Sequence, residues 1–320
     1  MSFSGEIKDE LSKIVSESRH CQIAELASII SMCGAVVIDS RGDYSLKIHT
    51  ENLPVARKCF TLLKKTFNIC TDTSVRINKK KGSISYFVVL KDHEKAKNIL
   101  DATNLLDCCG EVREELVIIR NSVLRKLCCK RAFLRGAFLA SGSMSAPEKS
   151  YHLEIVCATE DKAKQIQEMM QFFRLDAKIV ARKKTFVVYL KEGSQISDML
   201  GVMEAYDQME EFEKVRELKG TRNTVNRKVN CETANINKTV SAAVKQIEDI
   251  EFIQEVKGLD KLPDSLRDVA IARLEYPEAS LKELGTLIHP NLGKSGVNHR
   301  LRKLSEIAEG LRENKEERND

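Results

Sequence analysis

The sequence predicts an α+β chain, with a pseudo-twofold α/β repeat domain followed by an all-helical domain. The order helix, two strands, helix, two strands, helix occurs twice, at about residues 20–107 and 126–213. Each copy opens on an apolar helix, rich in small residues, that ends at a glycine. From residue 259 onward the apolar residues recur only at helical spacing.

In the first copy the opening helix carries LASIISMCG at 26–34. The segment YSLKIHT (44–50) then alternates apolar and polar residues, as a half-buried strand does. A helical pattern, ARKCFTLLKKTFNI, leads to a strand pair that ends in SYFVVLKD, and HEKAKNILDATNLL predicts the closing helix.

The second copy repeats these signals, with LRGAFLASG at 134–142 and the strand YHLEIVC at 151–157. DKAKQIQEMMQFFRL, TFVVYLKE and SQISDMLGVMEAY predict the remaining helix, strand and helix. Small residues on the two opening helices would let their backbones approach closely, with the dyad axis between them. These residues are Ala27, Ser28 and Gly34 in the first copy and Ala137, Ala140 and Gly142 in the second.

The predicted domain limits are 1–219 for the repeat domain, 220–258 for a basic connection and 259–320 for the helical domain. Gly220 is expected to break the chain into a hinge, followed by a helix with Ile236, Val240, Val244 and Ile247 on one face. Three bases in the connection are predicted phosphate contacts: Arg222, Arg227 and Lys228.

The last domain has the pattern of a helix-turn-helix. One helix ends at Pro277, a short helix begins at the N-cap Ser280, and a connection, HPNLG, leads to a final helix. Val297, Leu301 and Leu304 recur at helical spacing in that helix and are expected to face inward.

The polar residues of the final helix are therefore expected to meet DNA, with base contacts near its start and phosphate contacts further along. An ordinary solvated helix at the end of a small bundle would show a similar pattern. The predicted DNA-binding residues are Lys294, Ser295, Asn298, His299, Arg300, Arg302 and Lys303.

The composition, with 42% hydrophobic and 31% charged residues, is typical of a soluble protein, and no apolar run is long enough to cross a bilayer. The N-terminus is acidic and amphipathic, unlike a signal peptide. We therefore expect a cytoplasmic, nucleoid-associated protein with no membrane partner. The formal net charge is +5, and residues 285–304 hold four bases and no acid, which favours a phosphate-bearing partner.

The ten cysteines are predicted to stay reduced, with no structural metal and no cofactor. They are scattered along the chain. The two doublets, Cys108–Cys109 and Cys128–Cys129, lack the two-residue gap of a zinc knuckle.

LASIISMCG and LRGAFLASG resemble the LAGLIDADG motifs of homing endonucleases. The second stretch matches that motif at Leu134, Gly136, Ala140 and Gly142, and the first at Leu26, Ala27, Ile30 and Gly34. Nearly the whole chain is similar to the WhiA family of sporulation and cell-division regulators, especially in NRKVNCETANINKTVSAAVKQIEDI and LGKSGVNHRLRKL.

In the nucleases an acid stands just before the last glycine of each motif, and the two acids hold divalent metals. Cys33 and Ser141 occupy those positions here. A thiol and a neutral hydroxyl cannot replace anionic oxygen ligands, and Asp39 and Glu154 lie on other segments. The resemblance thus implies a degenerate nuclease scaffold without catalytic residues.

Basic residues at the two hairpin tips could contact the DNA backbone. Lysine is also common at exposed edges of β-sheets, where it prevents pairing with other chains, so both interpretations stay open. The tip residues are Lys79, Lys80, Lys81, Arg182, Lys183 and Lys184. The stretch RNSVLRKLCCKRAFLR at 120–135, with six bases and no acid, favours such contact.

The sequence therefore favours a non-enzymatic, sequence-specific regulator that binds double-stranded DNA. The family resemblance implies roles in sporulation, cell division and chromosome segregation, with transcription or division proteins as partners of the repeat domain. An endonuclease that uses unrecognised acids and a protein-interaction scaffold are the alternatives.

Overall fold

The computed structural model describes residues 2–78, 83–107, 109–112, 116–118 and 121–316. The chain divides into two compact units, Met1–Gly220 and Thr221–Asp320. Within the described ranges, no helix has both the length and the apolar character that crossing a membrane requires.

The first unit contains the predicted arrangement twice, after an additional helix, α1 (Phe3–Lys13). The first copy consists of α2 (Arg19–Cys33), β1 (Gly34–Ile38), β2 (Tyr44–Thr50), α3 (Leu53–Phe67), β3 (Asp72–Asn78), β4 (Ser83–Leu90) and α4 (His93–Ala102). The second consists of α5 (Leu127–Ser141), β5 (Gly142–Met144), β6 (Leu153–Cys157), α6 (Glu160–Phe172), β7 (Lys178–Arg182), β8 (Thr185–Leu190) and α7 (Gly193–Met203).

Each copy forms a four-stranded antiparallel sheet, in the order β1-β2-β4-β3 and β5-β6-β8-β7. The registers correspond: Ile48 lies opposite Val88 in the first sheet, and Ile155 opposite Val188 in the second. These four side chains are buried, because alternate residues of each strand face the helices. The predicted α+β class with two related sheets is confirmed.

The helices α2 and α5 pack against each other in the core of the first unit. The two helices approach closely at Gly136, where a Cβ would lie 2.5 Å from the carbonyl oxygen of Glu25 and 3.0 Å from the Cβ of Ser28. The expectation that Gly142 provides this approach is wrong. A Cβ on Gly142 would lie nearest to Phe138 of its own helix, at 2.4 Å, because the chain turns into β5 there.

A buried ion network joins the same two helices. The guanidinium of Arg135 donates from Nε and Nη2 to the two carboxylate oxygens of Glu25, at 3.1 and 3.2 Å, and also bonds to Glu204. The Nζ of Lys58 lies 2.9 Å from Glu25 Oε1. Arg135 belongs to the basic stretch at 120–135 that favoured DNA contact, but its side chain is only 1% exposed and cannot reach DNA.

The predicted hinge at Gly220 is also wrong, because residues on both sides of it belong to one helix, α8 (Tyr206–Val256). A single glycine in a helix interior costs only about 1 kcal/mol, and no proline interrupts the backbone hydrogen bonds of this segment. The face predicted from Ile236, Val240 and Val244 is about half exposed, with exposed fractions of 61, 54 and 49%.

The second unit is helical, and its core is formed by the end of α8, α9 (Asp264–Glu275), α10 (Leu281–Leu287) and α11 (Lys294–Glu316). Ile250 and Ile253 of α8 are fully buried there, together with Val269 of α9 and Leu284 of α10. A helical domain with a helix-turn-helix follows the repeat domain, as predicted.

Candidate nucleic-acid interface

The short helix α10 has a defined start because Ser280 and Glu283 form a reciprocal cap. The backbone N–H of Ser280 donates to the Glu283 carboxylate at 2.8 Å, and the backbone N–H of Glu283 donates to Ser280 Oγ at 3.4 Å. These bonds lower the pKa of Glu283. A helix of seven residues is marginal alone, so this cap and the burial of Leu284 hold it in place.

The turn between α10 and α11 folds directly onto the backbone of α10. The N–H of Leu292 donates to the carbonyl of Gly285 at 2.9 Å. A Cβ on Gly285 would lie 2.0 Å from the carbonyl oxygen of Leu292, so any side chain would push the turn away. Gly285 therefore sets the position from which α11 begins.

One face of α11 is buried against the other helices of the second unit. Val297, Leu301, Leu304 and Ala308 are at most 1% exposed. The polar residues predicted to point outward are all exposed: Ser295, Asn298, His299, Arg302 and Lys303. The structure thus presents these five groups to solvent, and their contact with DNA stays a prediction.

The five side chains do not point in one direction. At about 100° per residue, Ser295, His299 and Arg302 lie opposite the buried face, with Asn298 and Lys303 on its two flanks. Asn298 lines a groove of about 620 Å³ with residues of α8 and of the segment after α9. DNA in contact with this surface would therefore meet Asn298 on one side of the helix and Lys303 on the other.

Two other predicted residues of α11 differ from each other. Lys294 is exposed on the first turn of the helix. Arg300 is half-buried, and its Nη1 donates to the carbonyl of Ser265 at the start of α9, at 3.0 Å. The sequence predicted that Arg300 contacts a base or a phosphate, and in the structure this hydrogen bond ties α11 to α9.

The remaining predicted phosphate contacts fall on α8 and on the hairpins. Arg222, Arg227 and Lys228 are exposed, and helical geometry spreads them around the axis of α8. Lys79, Lys80 and Lys81 lie outside the described residues. At the other tip Lys183 and Lys184 are exposed, and Arg182 bonds to Glu154 at 3.0 Å.

The two positions of the missing nuclease acids are the last residues of α2 and α5. The thiol of Cys33 donates to the carbonyl of Ile29 at 3.3 Å, and the hydroxyl of Ser141 donates to the carbonyl of Ala137 at 3.4 Å. Burial raises the pKa of Cys33 to about 12, so the thiol stays neutral at physiological pH. Neither side chain supplies an anionic oxygen.

Two lysines place cationic groups near this end of α2. Lys162 Nζ donates to the carbonyl of Ser31 at 2.6 Å, and Lys8 lies near Cys33 with only 7% of its surface exposed. Burial lowers the pKa of Lys8 to about 8. Cations favour the carboxyl end of a helix, and here they oppose binding of a divalent metal.

The other acids considered from the sequence are occupied by local bonds. Asp39 accepts the backbone N–H groups of Arg41 and Asp43, at 2.8 and 3.0 Å. Glu154 bonds to Ser143 at 3.2 Å and to Arg182 at 3.0 Å. Neither belongs to a group of metal-ligating side chains among the described residues.

The sequence did not predict a cluster of side chains at the amino-terminal ends of α2 and α5. His20, Cys21, Cys128 and Cys129 place their ligand atoms within 4.8 Å of one another. The prediction of no structural metal considered the spacing of cysteines within single segments, whereas this cluster combines adjacent pairs from two helices. In the sequence, this cluster is indicated only by the adjacent pairs His20–Cys21 and Cys128–Cys129.

Family models cover most of the chain. The WhiA N-terminal LAGLIDADG-like domain matches residues 19–106, the WhiA LAGLIDADG-like domain matches 130–222, and the WhiA C-terminal HTH domain matches 225–308. A probable cell division protein WhiA of Lachnoclostridium phytofermentans is 51% identical over 98% of this chain and 100% of its own length.

A relative with the same description from Desulforamulus reducens is 46% identical, over 99% of this chain and 98% of the relative. The crystal structure of full-length DUF199/WhiA from Thermatoga maritima is similar, with a TM-score of 0.57 and 29% identity. That likeness covers 97% of this chain and 98% of the other.

Proposed function

The chain belongs to the WhiA family, and from that premise we propose that it is a non-enzymatic regulator that binds specific DNA sequences. The observation that carries the proposal is the outer surface of α11. Five polar side chains are exposed there while four apolar ones anchor the helix behind them. An anchored helix with a polar outer face is the element that enters a major groove.

The two flanks of α11 are proposed to have different roles. Asn298, near the start of the helix, can bond bidentately to adenine and so discriminates between bases. Lys303 lies more than a turn further along and is proposed to contact phosphate, which adds affinity without sequence preference. Arg302, between the flanks, would bond to guanine or phosphate.

The first test maps the DNA bound in the cell by the full chain and by a variant with alanine at Asn298, Arg302 and Lys303. Discrete sites for the full chain that disappear in the variant would support the proposal. Equal maps would show that α11 does not read DNA and would favour the interaction-scaffold alternative.

The second test measures binding of purified full chain to a mapped site and to random DNA at several salt concentrations. Asn298→Ala is expected to lose about 1–3 kcal/mol on the site and little on random DNA. Lys303→Ala is expected to weaken both equally and to reduce the salt slope by about one. Lys164→Ala, an exposed lysine of α6 paired with Glu160, is the control and is expected to change neither.

For the first unit we infer a platform without phosphodiesterase activity, on which transcription or division proteins assemble. Support comes from the neutral groups of Cys33 and Ser141 and from exposed apolar residues of the first sheet. Val75, Ile77 and Ile84 are 57, 67 and 43% exposed. A change of Ile77 to Ser is expected to leave DNA occupancy intact and alter transcription of the bound genes. Unchanged transcription would count against the platform.

The names of the relatives support cell division as the process that is regulated. We extend the proposal to sporulation and chromosome segregation, and to association with the nucleoid. The occupancy map tests this directly, because bound sites should lie at genes of these processes.

A further inference from the structure

Four metal-ligating side chains meet at the amino-terminal ends of α2 and α5. His20 and Cys21 lie in the first turn of α2, and Cys128 and Cys129 in the first turn of α5. The Nδ1 of His20 lies 3.2 Å from the Sγ of Cys21 and 3.2 Å from the Sγ of Cys129. All four ligand atoms lie within 4.8 Å of one another.

We propose that His20, Cys21, Cys128 and Cys129 bind one Zn²⁺ ion that joins the two copies of the repeat. Three thiolates and one imidazole form an established donor set for structural zinc. Four protein ligands leave no position for water or substrate, so the ion has a structural role rather than a catalytic one. The inference concerns the first unit and does not depend on DNA binding.

The observed separations are close to those of a tetrahedral site. Zinc bonds of about 2.3 Å to sulfur and 2.0–2.1 Å to nitrogen require about 3.8 Å between two sulfurs and about 3.6 Å between sulfur and nitrogen. The two nitrogen–sulfur distances of 3.2 Å are about 0.4 Å shorter than this, and all four ligand atoms lie within 4.8 Å of one another. Cys128 is exposed, so rotation of its side chain can supply this adjustment.

Zinc binding would deprotonate the three thiols, because a cysteine that coordinates the metal gives up its proton to solvent. The resulting anionic complex is favoured at the amino-terminal ends of two helices, because the helix dipole places partial positive charge there.

The position of the cluster allows a bound ion to stabilise the packing of the two copies. The helices α2 and α5 belong to different copies of the repeat. The cluster lies at their amino-terminal ends, about 20 Å from Cys33 and Ser141 at the carboxyl-terminal ends, given a rise of 1.5 Å per residue. The cluster borders a surface pocket of about 410 Å³, lined by His20 and Cys129, through which a hydrated ion can enter. Bound zinc would therefore link the two copies of the repeat at the amino-terminal ends of α2 and α5.

The test measures zinc in the full chain, purified under reducing conditions from cells supplied with zinc, by mass spectrometry of the metal. We expect about one zinc ion per chain. Cys128→Ser and His20→Ala are expected to lower zinc affinity more than about tenfold. Cys70→Ser and Cys231→Ser, which change exposed cysteines outside the cluster, are matched controls and are expected to retain the metal.

A second measurement keeps the test decisive if a variant unfolds. Wild-type chain reloaded with Co²⁺ is expected to show the visible absorption of tetrahedral thiolate coordination. A chelator should abolish that absorption and lower the melting temperature. Absence of metal from folded wild type would overturn the proposal, as would equal zinc content in wild type and in the folded His20→Ala and Cys128→Ser chains.

Discussion

The close approach of α2 and α5 at Gly136 makes Gly136→Ala a sensitive probe of the first unit. The added Cβ would lie 2.5 Å from the carbonyl oxygen of Glu25, a backbone atom that no side-chain rotation can move. It would also lie 3.0 Å from the Cβ of Ser28, whereas carbon atoms in favourable contact are about 3.5–4.0 Å apart, so the helices must separate by on the order of 1 Å.

The expected loss follows from that displacement. Overpacking of a dense core costs about 1–3 kcal/mol. We expect the upper half of this range, because separation also lengthens the buried bonds of 3.1 and 3.2 Å between Arg135 and Glu25. For a unit of this size, 1 kcal/mol shifts the melting temperature by about 2–4 °C, which predicts a decrease of roughly 4–12 °C.

The assay is calorimetry or circular dichroism of the full chain. Gly220→Ala is the control, since a Cβ there meets no atom within 4 Å and alanine is favoured in a helix interior. We expect the control to melt at or slightly above the wild-type temperature. A Gly136→Ala chain that melted like the control would show that the helices do not meet at this residue.

The remaining predictions use the buried charges and the lost catalytic positions. Arg135→Met should destabilise the chain by about 3–5 kcal/mol in denaturant titrations, because the charge of Glu25 stays buried without its main partner; a loss below 1 kcal/mol would contradict this. Lys8 has its pKa lowered by burial from 10.5 to about 8, so the unfolded chain binds more protons between these values and stability should rise with pH across that window. Lys8→Met should remove this slope and add on the order of 3 kcal/mol at pH 7; an equal slope in both chains would refute the assignment. With Mg²⁺ or Mn²⁺, wild type should cut DNA no faster than a Cys33→Ala, Ser141→Ala chain, and activity lost in that control would restore the nuclease alternative.

The repeat and the final helix, α11, were predictable because their signals are local. Strand alternation in YSLKIHT and YHLEIVC reports which residues face the core, and Leu46, Ile48, Leu153 and Ile155 are buried accordingly. The N-cap at Ser280 and the outward residues of α11 also follow from spacing along a single helix. Periodicity within one element needs no knowledge of its neighbours.

Features that depend on two segments were not predictable in this way. Gly136 and Gly142 both stand in one motif, and only the packing of α5 on α2 shows that Gly136 is the point of contact. Arg135 looked like a surface base until its partner Glu25, 110 residues away, was placed beside it. The continuity of α8 through Gly220 reflects a small local penalty that the rest of the helix outweighs.

The sequence by itself determined the order of elements, the family resemblance, the replaced acids at Cys33 and Ser141 and the polar face of α11. Tertiary structure alone decided which charges are buried, and it brought His20 and Cys21 next to Cys128 and Cys129. The physical reason is that hydrogen-bond and apolar periodicity act within a few residues, whereas ion pairs and metal ligands depend on distances in space. His20 and Cys129 are 109 positions apart, and no periodic pattern in the sequence indicates that two such distant residues are in contact.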